Sequence, residues 1–477
     1  MKKSRIVFFL SCICFIVQLH AGVKMISTSE QSKWKLIDLV KEGDNKRNLT
    51  TSNGAKLCLE SPAQKIAGFG ACFNELGWTS LQQLSSPNIE FVFKELFTTS
   101  GANFNLCRIP IGANDFSRDW YSYSEIDGDF GMKHFSTEND KQTLIPFIKK
   151  ALMFNPTLKL WASPWSPPSW MKTNKHYACA PTDNSDSNPY RNGMDVSQKG
   201  AEGTNMFITS DKYMKAYSLY FRKFIKEYAK AGIKIGVVMP QNEFNSCQIF
   251  PSCCWRPQEL GKFIADYLIP TMKKENVDVY IGTMERPSFA MLDTILKTKN
   301  NLKEIKGVGF QWAGKHAVAQ THSAYPHLHL LQSEQECGDG QNTWKGAAYS
   351  WELMKHYFKA GVSGYLYWNF SLLEGGISRW GWAQNSLIVV NPKTKQFEFT
   401  LEYYVMKHIS HFVEQQAEFI PSTGSYTDLL AFRNPDNSIV VIEGNMESEA
   451  KVVELLLEKK KYQIQLPAYS INTIVVD

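Results

Sequence analysis

Short apolar runs recur along residues 66–370, and they alternate with segments in which apolar positions repeat every three to four residues. The runs are 66–73, 104–111, 158–165, 233–239, 277–284, 305–312, 328–333 and 364–370. The helical period is clearest in 141–154, 213–231, 259–274 and 345–360. Continuous apolar runs are typical of strands buried on both faces of a parallel sheet. Eight of them alternating with helices predict an α/β fold, the (β/α)8 TIM barrel.

A doubly wound open sheet is the alternative arrangement for this alternation. It calls for a glycine-rich phosphate turn after the first strand. Residues 68–74, Gly-Phe-Gly-Ala-Cys-Phe-Asn, lack the spacing of that turn. The sequence therefore favours the barrel, which we expect to span residues 66–413.

The pattern changes after the helix-like stretch 401–413. The short alternating runs that follow are 429–432, 439–443, 452–457 and 470–476. Strand-length alternation bounded by turn residues predicts a small all-β sandwich over residues 414–477. Residues 22–65 carry no helix signal, and we expect them to add strands to the same sandwich.

The first 21 residues have the pattern of a signal peptide. Two lysines and an arginine precede an apolar stretch at 6–17, and Ala21 offers a cleavage position. The stretch is too short to span a bilayer, so we expect a secreted or periplasmic protein without stable membrane insertion. Lipid anchoring at Cys12 is the less favoured alternative, because apolar residues continue directly after it.

Composition excludes one class of partner. The formal charge of +6 is small for 477 residues, and no lysine or arginine cluster is interleaved with aromatic residues. A nucleic-acid partner is therefore not expected. Aromatic residues make up 13% of the chain, and their faces can serve as platforms for sugar rings, although most aromatics in a large protein belong to its core.

Eight cysteines follow the leader. They are Cys58, Cys72, Cys107, Cys179, Cys247, Cys253, Cys254 and Cys337. Cys72 and Cys107 lie in strand-like runs and are predicted to be buried free thiols. Cys247, Cys253 and Cys254 share one loop, where a disulfide, with Cys179 as a candidate partner, is compatible with export. A zinc site is less favoured because no histidine lies at ligand spacing.

Polar and aromatic residues accumulate where the predicted strands end. They are Asn74, Glu75, Asn114, Asp115, Trp165, Asn242, Glu243, Gln311, Trp312, Glu334, Trp368 and Asn369. The carboxyl ends of barrel strands surround the active site in TIM-barrel enzymes. We therefore expect the active site at this face of the barrel.

Glu243 and Glu334 end the fourth and seventh predicted strands. Two facing carboxyl groups suit hydrolysis of a glycosidic bond, and a separation of ~5 Å predicts retention of configuration. Asn242 can hold a sugar 2-hydroxyl, which favours Glu243 as acid/base and Glu334 as nucleophile. The alternative is a buried ion-pair network, which needs a lysine or arginine beside each glutamate, and neither motif contains one.

Several motifs in order along the chain resemble glycoside hydrolase family 30, in particular its glucosylceramidase-like and β-1,6-glucanase-like members. The motifs are Gly-Phe-Gly-Ala at 68–71, Arg-Ile-Pro-Ile-Gly-Ala-Asn-Asp-Phe-Ser at 108–117, 162–174 with its two tryptophans, Gln-Asn-Glu at 241–243, Gln-Ser-Glu at 332–334, Tyr-Trp-Asn at 367–369 and 469–473. The resemblance implies the same roles for the two glutamates. It also implies that Asp115, Trp165, Asn242 and Trp368 line the sugar pocket.

Two positions depart from the pattern of that family. Phe244 stands where members often have proline after Asn-Glu, and Gln311 precedes Trp312 where members often have histidine. We include Gln311 and Trp312 among the expected substrate-binding residues, since they end the sixth strand.

The sequence thus predicts an exported, retaining β-glycoside hydrolase that acts on β-D-glucosides, glucosylceramidase-like in type, with a carbohydrate or glycolipid substrate. No cofactor and no metal are expected. An endo-β-1,6-glucanase, or a β-xyloside or β-fucoside hydrolase, is the alternative on the same scaffold. A non-catalytic carbohydrate-binding protein is the alternative from another class, and the presence of both glutamates speaks against it.

Overall fold

The structure is a computed structural model that describes residues 25–37, 40–43, 53–458 and 460–476. The predicted leader at 1–21, including Cys12, lies outside the described residues. Four short strands precede the barrel: β1 (Met25–Ser29), β2 (Lys35–Ile37), β3 (Val40–Gly43) and β4 (Gly54–Leu57).

Eight parallel strands then close into a barrel. They are β5 (Gly68–Cys72), β6 (Leu106–Pro110), β7 (Lys159–Ser163), β8 (Val237–Val238), β9 (Asp278–Met284), β10 (Gly307–Gln311), β11 (His329–Glu334) and β12 (Gly364–Asn369). Neighbours in sequence are neighbours in the sheet, and β12 pairs with β5 to close it. Each strand falls within or close to one of the predicted apolar runs, and the predicted (β/α)8 barrel is confirmed.

Helices surround the barrel. They are α1 (Glu75–Leu81), α2 (Ser86–Phe97), α3 (Leu144–Phe154), α4 (Asp211–Lys230), α5 (Pro257–Phe263), α6 (Ile269–Lys273), α7 (Phe289–Lys297), α8 (Val318–Ala324), α9 (Trp344–Lys359) and α10 (Leu401–Ser410). The helix predicted over 259–274 is split by a π-helical turn at Ile264–Leu268. Pro270 explains the turn, because proline has no N–H and its ring would clash with the carbonyl four residues earlier in an α-helix.

In the described part of the chain, ten strands follow the barrel, and together with the four N-terminal strands they form three sheets. The ten strands are β13 (Ser371–Leu373), β14 (Ile388–Val390), β15 (Phe397–Phe399), β16 (Glu418–Ile420), β17 (Ser422–Gly424), β18 (Leu429–Arg433), β19 (Ile439–Asn445), β20 (Lys451–Leu457), β21 (Lys460–Leu466) and β22 (Ser470–Val476). Strands β13, β14 and β15 make a small sheet of their own.

Two further sheets make the predicted β-sandwich. One has the order β16-β18-β19-β22-β1-β2 and the other β17-β4-β20-β21-β3. The N-terminal strands β1 and β2 therefore belong to the first sheet, and β3 and β4 belong to the second. Apolar side chains such as Met25, Leu57, Ile464 and Ile474 belong to one buried cluster, the core of the sandwich. Among the described residues, no helix is long and apolar enough to cross a lipid bilayer.

The histidine of α10 connects the barrel to the sandwich. His408 is fully buried, and its Nδ1 and Nε2 lie 2.8 Å from the Thr473 hydroxyl and 2.9 Å from the Thr28 hydroxyl. The Thr473 hydroxyl also donates to the His408 carbonyl oxygen, so it accepts from Nδ1, while Nε2 accepts from Thr28. Burial lowers the pKa of His408 from 6.5 to about 3, with the charge of Lys407 adding to the effect. The ring is therefore neutral in the folded protein.

We expect the H408Q variant to lose less stability in acid than the wild type. The unfolded chain takes up a proton at His408 below pH 6.5 but the folded chain only near pH 3, so the wild type loses stability as the pH falls through this window. The loss approaches about 1.4 kcal/mol per pH unit. Urea unfolding at pH 7, 5.5 and 4.5 gives the free energy of unfolding of both proteins. If this free energy fell equally with pH in both, a neutral, buried His408 would be contradicted.

Candidate active site

A cavity of about 230 Å³ opens at the carboxyl ends of the barrel strands. Its lining combines acidic, amide and aromatic side chains: Asp115, Trp165, Asn242, Glu243, Ser246, Gln248, Phe250, Glu285, Arg286, Trp312, Ala313, Glu334, Trp382 and Gln384. Such a mixture of convergent polar groups and aromatic faces in one concavity is typical of a ligand site.

Glu243 lies in the loop that follows β8. Its backbone φ is 47°, in the left-handed region that non-glycine residues seldom adopt. The strained turn is held by the Glu243 N–H, which donates to the Thr283 hydroxyl at 2.9 Å, and by the Gln311 amide, which donates to Glu243 Oε1 at 3.0 Å. Burial raises the pKa of Glu243, and the amide of Gln311 opposes that rise.

Glu334 is the last residue of β11. Its Oε2 accepts a hydrogen bond of 2.7 Å from Arg108 Nη1, and its Oε1 accepts one of 3.3 Å from the Trp312 indole N–H. Burial raises the pKa of Glu334 to about 7, against the opposing effect of the Arg108 charge, and nearby Glu243 adds to the rise. The guanidinium is the one cation in direct contact with this carboxyl among the described residues.

Arg108 connects most of the predicted site. It is fully buried on β6, and besides Glu334 its guanidinium donates to Asn242 Oδ1 at 2.7 Å and to the Ser163 hydroxyl at 2.9 Å. Its central carbon lies 4.2 Å from the ring centroid of Trp165. The motif around Glu334 contains no basic residue, yet the folded protein pairs this carboxyl with Arg108. A strand remote in sequence supplies the cation, which the local motif could not reveal.

The eight predicted site residues lie together, in two layers. Six line the cavity: Asp115, Trp165, Asn242, Glu243, Trp312 and Glu334. Gln311 and Trp368 lie behind them, the first bonded to Glu243 and the second stacked on Trp165 with ring centroids 5.4 Å apart.

Asp115 has spare hydrogen-bonding capacity. It is only 5% exposed, and its Oδ1 has no hydrogen-bond partner among the described residues. Burial raises the pKa of Asp115, and the charges of Glu334 and Glu243 raise it further. A buried oxygen without a partner on the wall of a cavity is available to a hydroxyl group of a ligand.

Two family models match the chain. One, described as the glycosyl hydrolase family 30 TIM-barrel domain, matches residues 66–413, and the other, the family 30 beta sandwich domain, matches 416–474. The chain belongs to glycosyl hydrolase family 30. This confirms the predicted family, and the protein is a glycoside hydrolase.

The chain is similar to glucosylceramidases and to endo-1,6-β-glucanases. The chain is 27% identical over 430 residues to the lysosomal acid glucosylceramidase of Mus musculus, covering 84% of this chain and 79% of that protein. It is 25% identical over 488 residues to an endo-1,6-beta-D-glucanase of Trichoderma harzianum, covering 96% of this chain and 94% of that protein. The crystal structure of SrfJ from Salmonella typhimurium has the same fold, with a TM-score of 0.83 at 22% identity over 95% of this chain and 99% of that one.

Sequence reasoning missed a fourth acidic residue of this family 30 site, beside Asp115, Glu243 and Glu334. Glu285 follows β9 as Glu243 follows β8, so the same pattern of a polar residue after an apolar run could have identified it. Its Oε1 accepts the Asn245 N–H at 3.1 Å, and burial, reinforced by the charge of Glu243, raises its pKa to about 8. Arg286 beside it pairs with Glu202.

The other missed residues come from distant loops. Phe250 and Trp382 line the cavity without any nearby strand end to mark them. Trp382 is 41% exposed and meets Trp312 edge to face, with ring centroids 6.5 Å apart. Only the folded chain brings this pair together at the cavity.

We expect the R108M variant of the family 30 enzyme to be destabilised by about 3–5 kcal/mol, because it leaves the buried carboxylate of Glu334 unpaired. Combining R108M with E334Q removes that charge, so the double variant should be more stable than the sum of the single effects implies. Urea unfolding of all four proteins at pH 7 gives the coupling energy. Strict additivity would show that the ion pair contributes nothing.

Proposed function

We propose that this glycoside hydrolase cleaves β-D-glucosidic bonds by double displacement with retention of configuration. Glu334 is the nucleophile and Glu243 the acid/base. One observation carries these roles: Glu334 is in direct contact with the guanidinium of Arg108, whereas Gln311, a neutral amide, contacts Glu243. A cation in direct contact favours the ionised form of a carboxyl, whereas contact with a neutral amide favours that form less.

The two carboxyl groups titrate as a pair, because the charge on each raises the cost of ionising the other. When the pair carries a single proton, Arg108 favours the negative charge on Glu334, so the proton resides on Glu243. Glu243 then protonates the departing glycosidic oxygen while Glu334 attacks the anomeric carbon. In the second step Glu243, now ionised, takes a proton from water as that water releases the sugar from Glu334.

The cavity walls suit the binding of one sugar ring. Asn242, held by Arg108, can bind the 2-hydroxyl of the sugar, and the free Oδ1 of Asp115 can accept from another hydroxyl. Trp165 offers part of the wall, supported from behind by Trp368. The Trp312 indole contributes by holding Glu334 in position.

The volume of the cavity favours a glucosylceramidase-like substrate, a single β-glucosyl unit on a lipid or other aglycone. About 230 Å³ is below the range of roughly 300–1,000 Å³ typical of pockets for larger ligands. The mouse relative, a glucosylceramidase, supports this assignment. We also propose that the protein is exported through its leader, on the evidence of residues 1–21 alone.

An endo-β-1,6-glucanase is the second candidate function. The edge-to-face pair of Trp312 and the half-exposed Trp382 supports it, because exposed aromatic faces at a cavity rim can stack a further sugar ring. The fungal relative, an endo-1,6-β-glucanase, matches nearly its whole length. Rates on glucosylceramide and on β-1,6-glucan, measured with one preparation, distinguish the two substrates, and W382A should lower only the rate on the glucan.

A 2-fluoro-β-glucoside with a good leaving group should inactivate the enzyme by labelling Glu334, since retention requires a glycosyl-enzyme intermediate. Peptide mapping locates the label. Proton NMR within minutes of mixing should show the β-anomer as the first sugar formed. A label on Glu336, or an α-anomeric first product, would overturn the assignment of Glu334.

The E243Q variant should lose about 10²–10⁴ in rate on substrates with poor leaving groups, and far less on activated aryl β-glucosides, which depart without protonation. E285Q is the matched control, because Glu285 is a buried carboxyl of the same cavity with no role in protonation. E285Q should change the rates on both types of substrate to a similar extent. An equal loss on both substrate types in E243Q would exclude Glu243 as the acid.

A further inference from the structure

Three cysteines form a cluster outside the lining of the cavity. The sulfur atoms of Cys179, Cys247 and Cys254 all lie within 4.8 Å of one another. Cys253 is adjacent in sequence, yet it does not belong to this group. The cluster joins the segment around Cys179 to the loop after Glu243, whose Ser246, Gln248 and Phe250 line the cavity.

A buried ammonium lies beside the cluster. Lys172 is fully buried, and its Nζ donates to the carbonyl oxygens of Tyr177 at 2.8 Å, Ala178 at 3.0 Å and Ser252 at 2.6 Å. Within the described part of the chain, no carboxylate lies at ion-pair distance from it. The Sγ of Cys179, at 3.8 Å, is the group that can carry the compensating charge. A buried cation requires such a partner, and a thiolate supplies it.

The other two thiols favour the same charge state. The neighbouring thiols of Cys247 and Cys254, together with the charge of Lys172, hold the pKa of Cys179 well below its ordinary value. Those same contacts with Cys179 raise the pKa of Cys254, and they raise the pKa of Cys247 to about 11. A thiolate beside two thiols can attack the sulfur of either neighbour once that neighbour has entered a mixed disulfide.

Backbone contacts place Cys179 and Cys247 within reach of each other. The N–H groups of Cys179 and Ala180 both donate to the carbonyl of Gln248, at 3.0 and 2.9 Å. The thiol of Cys247 donates to the carbonyl of Cys179 at 3.0 Å. Cys247 is half-buried whereas Cys179 and Cys254 are buried, so Cys247 is the member that a small molecule meets first.

We propose that Cys179 and Cys247 are a redox-active pair that closes to a disulfide on reaction with a low-molecular-weight disulfide, and that the bond fastens the loop on the cavity wall. In the first step Cys247 loses its proton to solvent and attacks the small disulfide, which forms a mixed disulfide and releases one thiolate. In the second step the Cys179 thiolate attacks the sulfur of Cys247 and releases the other. Two protein thiols are oxidised and one small disulfide is reduced to two thiols.

The proposal is independent of the roles of Glu243 and Glu334. A zinc ion bound by the three thiolates is the competing occupant of the cluster. Structural zinc sites take four protein ligands, and this group has three, with an ammonium at one of them. The ligand set therefore favours the disulfide.

The experiment starts from the reduced protein treated with glutathione disulfide. Digestion with pepsin at low pH prevents further exchange, and fragmentation of the linked peptides identifies the bonded cysteines. We expect a Cys179–Cys247 bond, with Cys254 still open to alkylation after unfolding, and a higher melting temperature that dithiothreitol reverses. A bond between Cys247 and Cys254, a stable mixed disulfide on Cys247, or stoichiometric zinc in the untreated protein would each overturn the proposal.

Two variants sharpen the test. C247A should abolish oxidation of the cluster. C253A alters the neighbouring thiol outside the group, so the disulfide should still form in that variant. K172Q removes the charge that stabilises the thiolate, so the mixed disulfide on Cys247 should accumulate and the second step should slow roughly tenfold or more. Closure at an unchanged rate in folded K172Q would contradict the role of Lys172. Mapping of the wild type decides the proposal even if a variant fails to fold.

Discussion

The buried ion pair between Arg108 and Glu334 is the interaction on which the site depends. Removing two charges from water costs several kcal/mol per ion, and the pair is stable only when every remaining donor finds a partner. Besides Glu334, Arg108 donates to Asn242 and Ser163, and the ring of Trp165 lies on one face of the guanidinium. One guanidinium therefore positions the carboxyl of Glu334 and the amide of Asn242, which precedes Glu243.

Backbone strain accompanies this arrangement. Glu243 and Trp312 both adopt left-handed φ values, 47° and 49°, which cost of order 1–3 kcal/mol at residues other than glycine. The hydrogen bonds to Thr283 and Gln311 hold Glu243 in this conformation. Trp312 in turn directs its indole N–H at Glu334. Strain at these two positions aims both functional groups at one cavity before any substrate arrives.

The loop after Glu243 connects the chemistry to the rest of the molecule. It begins at the proposed acid, contributes Ser246, Gln248 and Phe250 to the cavity, and ends in the cysteine cluster. Lys172 fastens it to the preceding segment through the carbonyl of Ser252. A covalent bond at Cys247 would restrict the mobility of the cavity wall without altering Glu243 or Glu334.

The apolar pattern alone determined the barrel, the sandwich and the strand ends that carry Glu243 and Glu334, because burial on both faces of a parallel sheet leaves a continuous run with a polar residue where it stops. The same rule identified Glu243 and could have identified Glu285. It could not identify Arg108, which lies inside an apolar strand, or Trp382 and Phe250, which lie in loops. Their roles depend on which strands and loops become neighbours when the barrel closes. The pairing of Arg108 with Glu334 rather than Glu243 was decided only by the tertiary structure, because electrostatic partners are set by distance in space and not along the chain.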